Sequence, residues 1–83
     1  MKPRTDLGVE DADGELIVLD KDAGEVHQLN QSAALVWQGL NEDLTIDEIA
    51  VRLTDAFDVE HKHAVSDVQA SIAQLAELGL LVE

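Results

Sequence analysis

The amino-acid sequence predicts an α+β fold in which a three-stranded antiparallel sheet is followed by three helices. Residues 7–29 contain short apolar runs bounded by turn residues, a pattern typical of strands. From Asn30 onward, apolar residues recur every three or four positions, which is the spacing of one helix face. The chain has 83 residues, so we expect a single domain over 1–83, with residues 1–6 as a flexible N-terminus.

The strands are predicted from their composition and from the turns between them. Residues 11–14 and 21–24 each end in glycine and are predicted to be turns. The last strand mixes polar and apolar residues, which suits the edge of a sheet better than its centre. The predicted strands are residues 7–9, Glu15–Asp20 and Glu25–Leu29.

The helices are predicted from capping residues and apolar stripes. Asn30 is a favourable N-cap for the first helix, and Thr45 with Glu48 forms a capping box for the second. The third helix is predicted over residues 61–78 and is ended by Gly79, after which residues 80–82 are expected to pack back on the core. The predicted inner stripes are Ala33, Ala34, Val36, Trp37 and Leu40, then Ile46, Ile49, Ala50, Leu53 and Phe57, then Val65, Val68, Ile72, Leu75 and Leu78.

The charge and composition exclude several classes of function. The formal net charge of −13 repels nucleic-acid phosphates and anionic membranes, so we expect neither as a partner. The second and third predicted helices could form a helix-turn-helix pair, but their polar faces are acidic rather than basic. No signal peptide or apolar span is present, so we expect a soluble cytoplasmic protein.

No pattern for catalysis, metal binding or a cofactor is found. The chain has no cysteine, and no serine lies in a nucleophile motif. His61 and His63 are two residues apart, and these positions face different directions on a helix. We therefore predict no catalytic residue, no metal site and no cofactor.

The remaining candidate is a surface that binds an extended segment. An edge strand has unpaired backbone groups that a peptide can complete, and Glu25–Leu29 is the candidate edge. Val68, Ser71 and Ile72 on the third helix could form the floor of a groove beside it. The same residues would also serve as ordinary core and edge residues.

An ordered set of residues makes a binding function the stronger interpretation, because it resembles the PqqD-like family, also known as RiPP recognition elements. The resemblance covers roughly residues 12–82. It is carried by Leu19-Asp20, Gly24, Leu29-Asn30, Ala33-Ala34, Val36-Trp37, Leu44-Thr45, Glu48-Ile49 and Gly79-Leu80-Leu81.

The resemblance implies a winged helix-turn-helix-like fold and a non-catalytic protein that binds the leader of a ribosomally synthesised precursor peptide. The leader adds as a strand and is presented to a modifying enzyme, such as a radical SAM enzyme, a leader protease or a cyclase, in a lasso-peptide or pyrroloquinoline quinone type of pathway. The alternative is a winged-helix domain that binds another protein in regulation. The implied peptide-binding residues are Glu25, Val26, His27, Gln28, Leu29, Asp67, Val68, Ser71, Ile72 and Leu75.

Overall fold

The computed structural model describes residues 1–83 and confirms the α+β fold class, with a three-stranded antiparallel sheet followed by three helices. Two short strands that the sequence did not predict lie near the chain ends. The elements in chain order are β1 (Lys2–Pro3), β2 (Gly8–Ala12), β3 (Glu15–Asp20), β4 (Glu25–Leu29), α1 (Gln31–Asn41), α2 (Ile46–Phe57), α3 (His61–Glu77) and β5 (Leu81–Val82).

The main sheet has the order β2-β3-β4, so β4 lies at an edge as predicted. The first hairpin differs from the prediction for residues 11–14, because β2 continues to Ala12, which pairs with Glu15. Only Asp13 and Gly14 form the turn, both at positive φ (58° and 88°), as two-residue hairpins that match the sheet twist require. The second hairpin turn, 21–24, is where the sequence predicts it, with Gly24 at φ 68°.

The helix boundaries follow the predicted caps. The Asn30 side chain accepts a hydrogen bond from the Ala33 N–H, which begins α1. The Glu48 N–H donates to Thr45 Oγ1 at 3.1 Å and the Thr45 N–H donates to Glu48 Oε1 at 2.8 Å, so the capping box of α2 is complete. Gly79, at φ 78°, follows the end of α3.

The core lies between one face of the sheet and the three helices. Phe57 and Ile46, predicted for the inner stripe of α2, are each 37% exposed and are the last and first residues of that helix. The fourteen buried apolar residues are Leu16, Val18, Leu29, Ala34, Val36, Trp37, Leu40, Ile49, Ala50, Leu53, Ala64, Val68, Leu75 and Leu80.

Residues 1–6, expected to be a flexible N-terminus, include β1 and make contacts with the rest of the chain. β1 pairs with β5, and Pro3 is buried. Arg4 Nη1 donates to Asp20 Oδ2 at 2.9 Å and to the Gly79 carbonyl oxygen at 3.0 Å, which ties the first residues to the sheet and to the end of α3. Composition gave no signal for this, because the segment has too few apolar residues to define a strand.

No helix of the protein has the length and apolar character needed to cross a membrane.

Candidate functional site

The edge of the sheet at β4 has unpaired backbone groups. β4 pairs with β3 along its full length and has no strand on its other side. In an antiparallel pair, every second residue directs its N–H and C=O away from the partner strand. Over the five residues of β4, two or three residues therefore direct one donor and one acceptor each to the free side.

A groove of about 320 Å³ lies between β4 and α3. Three residues of α3 and Leu78, which directly follows it, face the groove, and their spacing of three and four positions places them on one side of the helix. We refer to it as the β4–α3 groove; it is lined by Val26, His27, Gln28, Leu29, Asn30, Ala33, Ser71, Gln74, Leu75 and Leu78.

Six of the ten predicted site residues line this groove. They include four residues of β4 and two on α3, Ser71 and Leu75. Glu25, a seventh, begins β4 next to the groove without lining it. The structure therefore brings the predicted strand and the predicted helix together.

Three of the predicted site residues on α3 do not line the groove. Val68 is fully buried in the core, and Ile72 packs half-buried against that core. Asp67 lines a different cavity, described below. The expectation that Val68 and Ile72 form the groove floor does not hold, because the core-facing stripe of α3 lies beside its groove-facing stripe.

The sequence interpretation missed four residues that line the groove: Asn30, Ala33, Gln74 and Leu78. Positions 71, 74, 75 and 78 form a second regular stripe on α3, so the spacing itself was available as a signal. The apolar spacing predicts Leu78 to be part of the core stripe, yet it is 36% exposed. The sequence predicts only a helix cap at Asn30 and a core position at Ala33.

His27 carries a buried polar atom in this groove. Its Nε2 has no hydrogen-bond partner and lies 3.5 Å from Glu25 Oε1 on the same strand. A buried nitrogen without a partner is a costly arrangement in a folded protein. A ligand group that forms a hydrogen bond with His27 Nε2 would therefore gain more binding free energy there than elsewhere in the groove.

A second cavity, of about 480 Å³, continues from the groove past Asn30, which lines both. It contains the exposed ring of Phe57, the only phenylalanine in the chain. We refer to it as the Phe57 cleft; its lining residues are Glu15, Asn30, Gln31, Ser32, Leu53, Phe57, Val59 and Asp67.

The residues that line the two cavities include acidic side chains but no lysine or arginine. Glu15 and Asp67 line the Phe57 cleft, and no lysine or arginine lines either cavity. Glu15 also accepts a hydrogen bond from Gln28 Nε2 at 3.0 Å across the hairpin, which fixes a residue that lines the groove. The surroundings favour a ligand with apolar and cationic side chains and disfavour carboxylates.

No group of three or more histidine, aspartate or glutamate side chains lies close enough to hold a metal ion. Ser71 lines the groove at one turn of α3.

The fold and this groove define the class first: a small winged-helix-like α+β domain with an unpaired sheet edge beside its last helix. The chain belongs to the PqqD family, because the family model described as coenzyme PQQ synthesis protein D (PqqD) matches residues 15–81. This confirms the resemblance inferred from the sequence pattern.

Two solved structures are similar to the chain over almost its whole length. A lasso peptide synthetase B1 complexed with the leader peptide is 32% identical, with a TM-score of 0.87 over 99% of this chain and 96% of that chain. TbiB1 in complex with the TbiA(beta) leader peptide is 22% identical, with a TM-score of 0.86 over 98% of this chain and 94% of that one, and has the same fold. No curated protein matches the sequence.

Proposed function

We propose that this protein binds the leader segment of a ribosomally synthesised precursor peptide by β-strand addition to β4 and presents it to a modifying enzyme. The observation that carries the proposal is the unpaired edge of β4 beside an apolar groove. The similar lasso peptide synthetase B1, whose structure contains a leader peptide, supports the same ligand class for this chain.

Backbone pairing supplies the part of the binding energy that does not depend on sequence. Two or three residues of β4 can each exchange an N–H and a C=O with an added strand. Each such hydrogen bond contributes a net stabilisation of about 0.5–1.5 kcal/mol, so backbone pairing alone gives modest affinity. Specificity must then come from leader side chains in the groove.

The groove accepts apolar side chains from one face of the leader strand. Leu75 and Leu78 line it and are apolar, and Leu78 is still 36% exposed. A leader that covers them removes apolar surface from water, which favours binding. The side chains of an added strand alternate, so every second leader residue is expected to be the anchor.

The direction of the leader follows from antiparallel pairing. β4 runs from Glu25 to Leu29, so an antiparallel leader starts near Leu29 and runs toward Glu25. Leader residues before the strand would pass Asn30 and enter the Phe57 cleft. We propose that Asp67 and Glu15 attract cationic leader residues there, which gives Asp67 a role in the site away from the β4–α3 groove.

The proposed function is binding without catalysis. It needs no metal or cofactor, and the chemistry would be performed by the partner, a radical SAM enzyme, a leader protease or a cyclase. The similarity to the leader-bound synthetase B1 over nearly the whole chain favours this function over that of a regulatory winged-helix domain.

The test is a titration of ¹⁵N-labelled protein with the leader peptide of the precursor encoded next to its gene, followed by backbone amide shifts. We expect the largest shifts in residues 25–30 and 71–78, with smaller shifts at Phe57 and Asp67. The amides at the start of α2, around Ile46, are the internal control because they lie outside both cavities. Saturable binding that leaves residues 25–30 unmoved would exclude strand addition at β4.

A further inference from the structure

The face of the sheet that points away from the helices carries three apolar side chains among its polar ones, whereas water-facing sheet surfaces are usually polar. Along β3, Leu16 and Val18 point into the core, so Ile17 and Leu19 point outward. Neither belongs to the core or packs against it, and Val26 of β4 is 67% exposed. We refer to the surface formed by Ile17, Leu19 and Val26 as the outer sheet face.

The strand register joins these residues into one strip. Leu19 lies between Gly8 of β2 and Val26 of β4. Gly8 has no side chain to cover its neighbour: a Cβ placed on it would lie 3.4 Å from the Leu19 Cβ. Leu19, which is half-buried, and Val26, which is 67% exposed, therefore lie side by side on this face. Exposed contiguous apolar surface of this kind is typical of interaction sites.

The strip ends at the edge where the leader is proposed to add. Val26 is a residue of that edge strand and the outermost member of the strip. A leader strand added beside β4 would place its alternate side chains on the outer sheet face, next to Val26. The outer sheet face of the loaded protein is then wider by one strand than that of the free protein.

We propose that the outer sheet face, extended by the bound leader strand, is the docking surface for the modifying enzyme. This inference rests on the proposed function, since the leader forms part of the surface. The enzyme would contribute an apolar centre surrounded by lysine and arginine side chains. Glu10 and Glu15 occupy the same face by strand alternation, and the net charge is −13, so a cationic rim is the complementary one.

The experiment uses the full chain, its cognate leader peptide and the purified modifying enzyme encoded beside it. The double variant Ile17→Thr/Leu19→Thr places β-branched threonine, which favours strands, at both positions while removing apolar surface. The matched control is Val9→Thr, since Val9 is 44% exposed and lies on the other side of the sheet, in register with Val18. Affinity for the leader and affinity for the enzyme are measured separately for each protein.

For the wild-type protein, we expect the leader to tighten enzyme binding at least tenfold. The double variant should bind the leader within threefold of wild type and bind the enzyme at least tenfold more weakly, with Val9→Thr unchanged. Glu10→Lys should also weaken enzyme binding, about threefold or more, whereas Asp55→Lys on the exposed side of α2 should not. The charge reversal tests the same surface if the double variant does not fold.

Two results overturn the proposal in distinguishable ways. If wild type and the double variant bind the leader and the enzyme equally well, leader binding stands and the outer sheet face is not the docking surface. If wild type does not bind the leader, the proposed function fails and the docking inference fails with it. Self-association of wild type that is lost in the double variant would assign the face to a second copy and also refute the proposal.

Discussion

Leu78 offers the sharpest test of the β4–α3 groove, because it contributes to the groove without belonging to the core. It follows the last residue of α3, is 36% exposed and lines the groove opposite β4. Its neighbour in the groove, Leu75, is 2% exposed and belongs to the core. Truncation of Leu78 therefore separates binding from folding, whereas truncation of Leu75 would affect both.

The contribution of Leu78 to the free energy of leader binding follows from the part of its surface that a leader can still cover. Full burial of a leucine side chain contributes about 1.5–3 kcal/mol. Only the exposed 36% of Leu78 can still be removed from water by the ligand. The expected contribution to binding is thus about 0.5–1 kcal/mol, and Leu78→Ala should raise the Kd for the leader about two- to sixfold.

The assay is calorimetric or anisotropy titration with the cognate leader, together with urea unfolding of each variant. Val82→Ala is the matched control, since Val82 is 47% exposed and lies in β5, outside the groove. We expect Val82→Ala to bind like wild type. An unchanged Kd for Leu78→Ala, or an equal loss for Val82→Ala, would refute the assignment of the groove.

Two further predictions concern stability. Thr45→Ala removes the side chain that accepts from the Glu48 N–H and should lower the free energy of unfolding by about 0.5–2 kcal/mol in urea titration. The pKa of Asp20 lies below its ordinary value because its carboxylate accepts hydrogen bonds from the Ala23 N–H and from Arg4. The stabilisation is therefore fully present at neutral pH and is lost as the pH falls below about 4 through the lowered pKa, which thermal unfolding from pH 7 to pH 3 measures.

Each of these two stability predictions has a control. Thr54→Ala is the control for Thr45→Ala, because the Thr54 hydroxyl donates only to a carbonyl within α2, the Val51 oxygen. Equal losses for both threonines would contradict the capping argument. For the acid transition, Asp20→Asn should have a lower Tm than wild type at pH 7. This difference in Tm between the two proteins should become smaller as the pH falls. A difference that stays constant from pH 7 to pH 3 would exclude Asp20 as a contributor.

Local patterns were enough to predict most of the fold. Asn30, Thr45 and Gly79 define helix ends through interactions within a few residues, and a sequence displays these directly. The edge position of β4 was also predicted, because β4 mixes polar and apolar residues, whereas the central strand β3 has four apolar residues in succession, 16–19. The pairing of β1 with β5 was not, since it joins Lys2 to Val82 across the whole chain.

The candidate site was predictable by segment but not by side chain. A helical repeat identifies apolar stripes, yet the crossing angle of the packed elements decides which stripe faces the core. Val68 was predicted to form the groove floor and Leu78 to face the core. In the structure Val68 is core, whereas Leu78 faces the groove. Val68→Asp would place a carboxylate in the core and unfold the protein, so loss of binding in that variant would not identify the site.

The unpaired edge of β4 has a consequence for the behaviour of the protein with itself. A strand edge that accepts a peptide also accepts the same edge of another molecule, and such contacts can grow into aggregates. β2, at the opposite edge of the sheet, carries Glu10 and Asp11, whereas β4 exposes Val26. At neutral pH the net charge of −13 keeps two copies apart without blocking a cationic peptide. The negative charge thus disfavours self-association at the β4 edge while it permits binding of a cationic peptide. This repulsion should weaken in concentrated salt and near the isoelectric point of about 4.2.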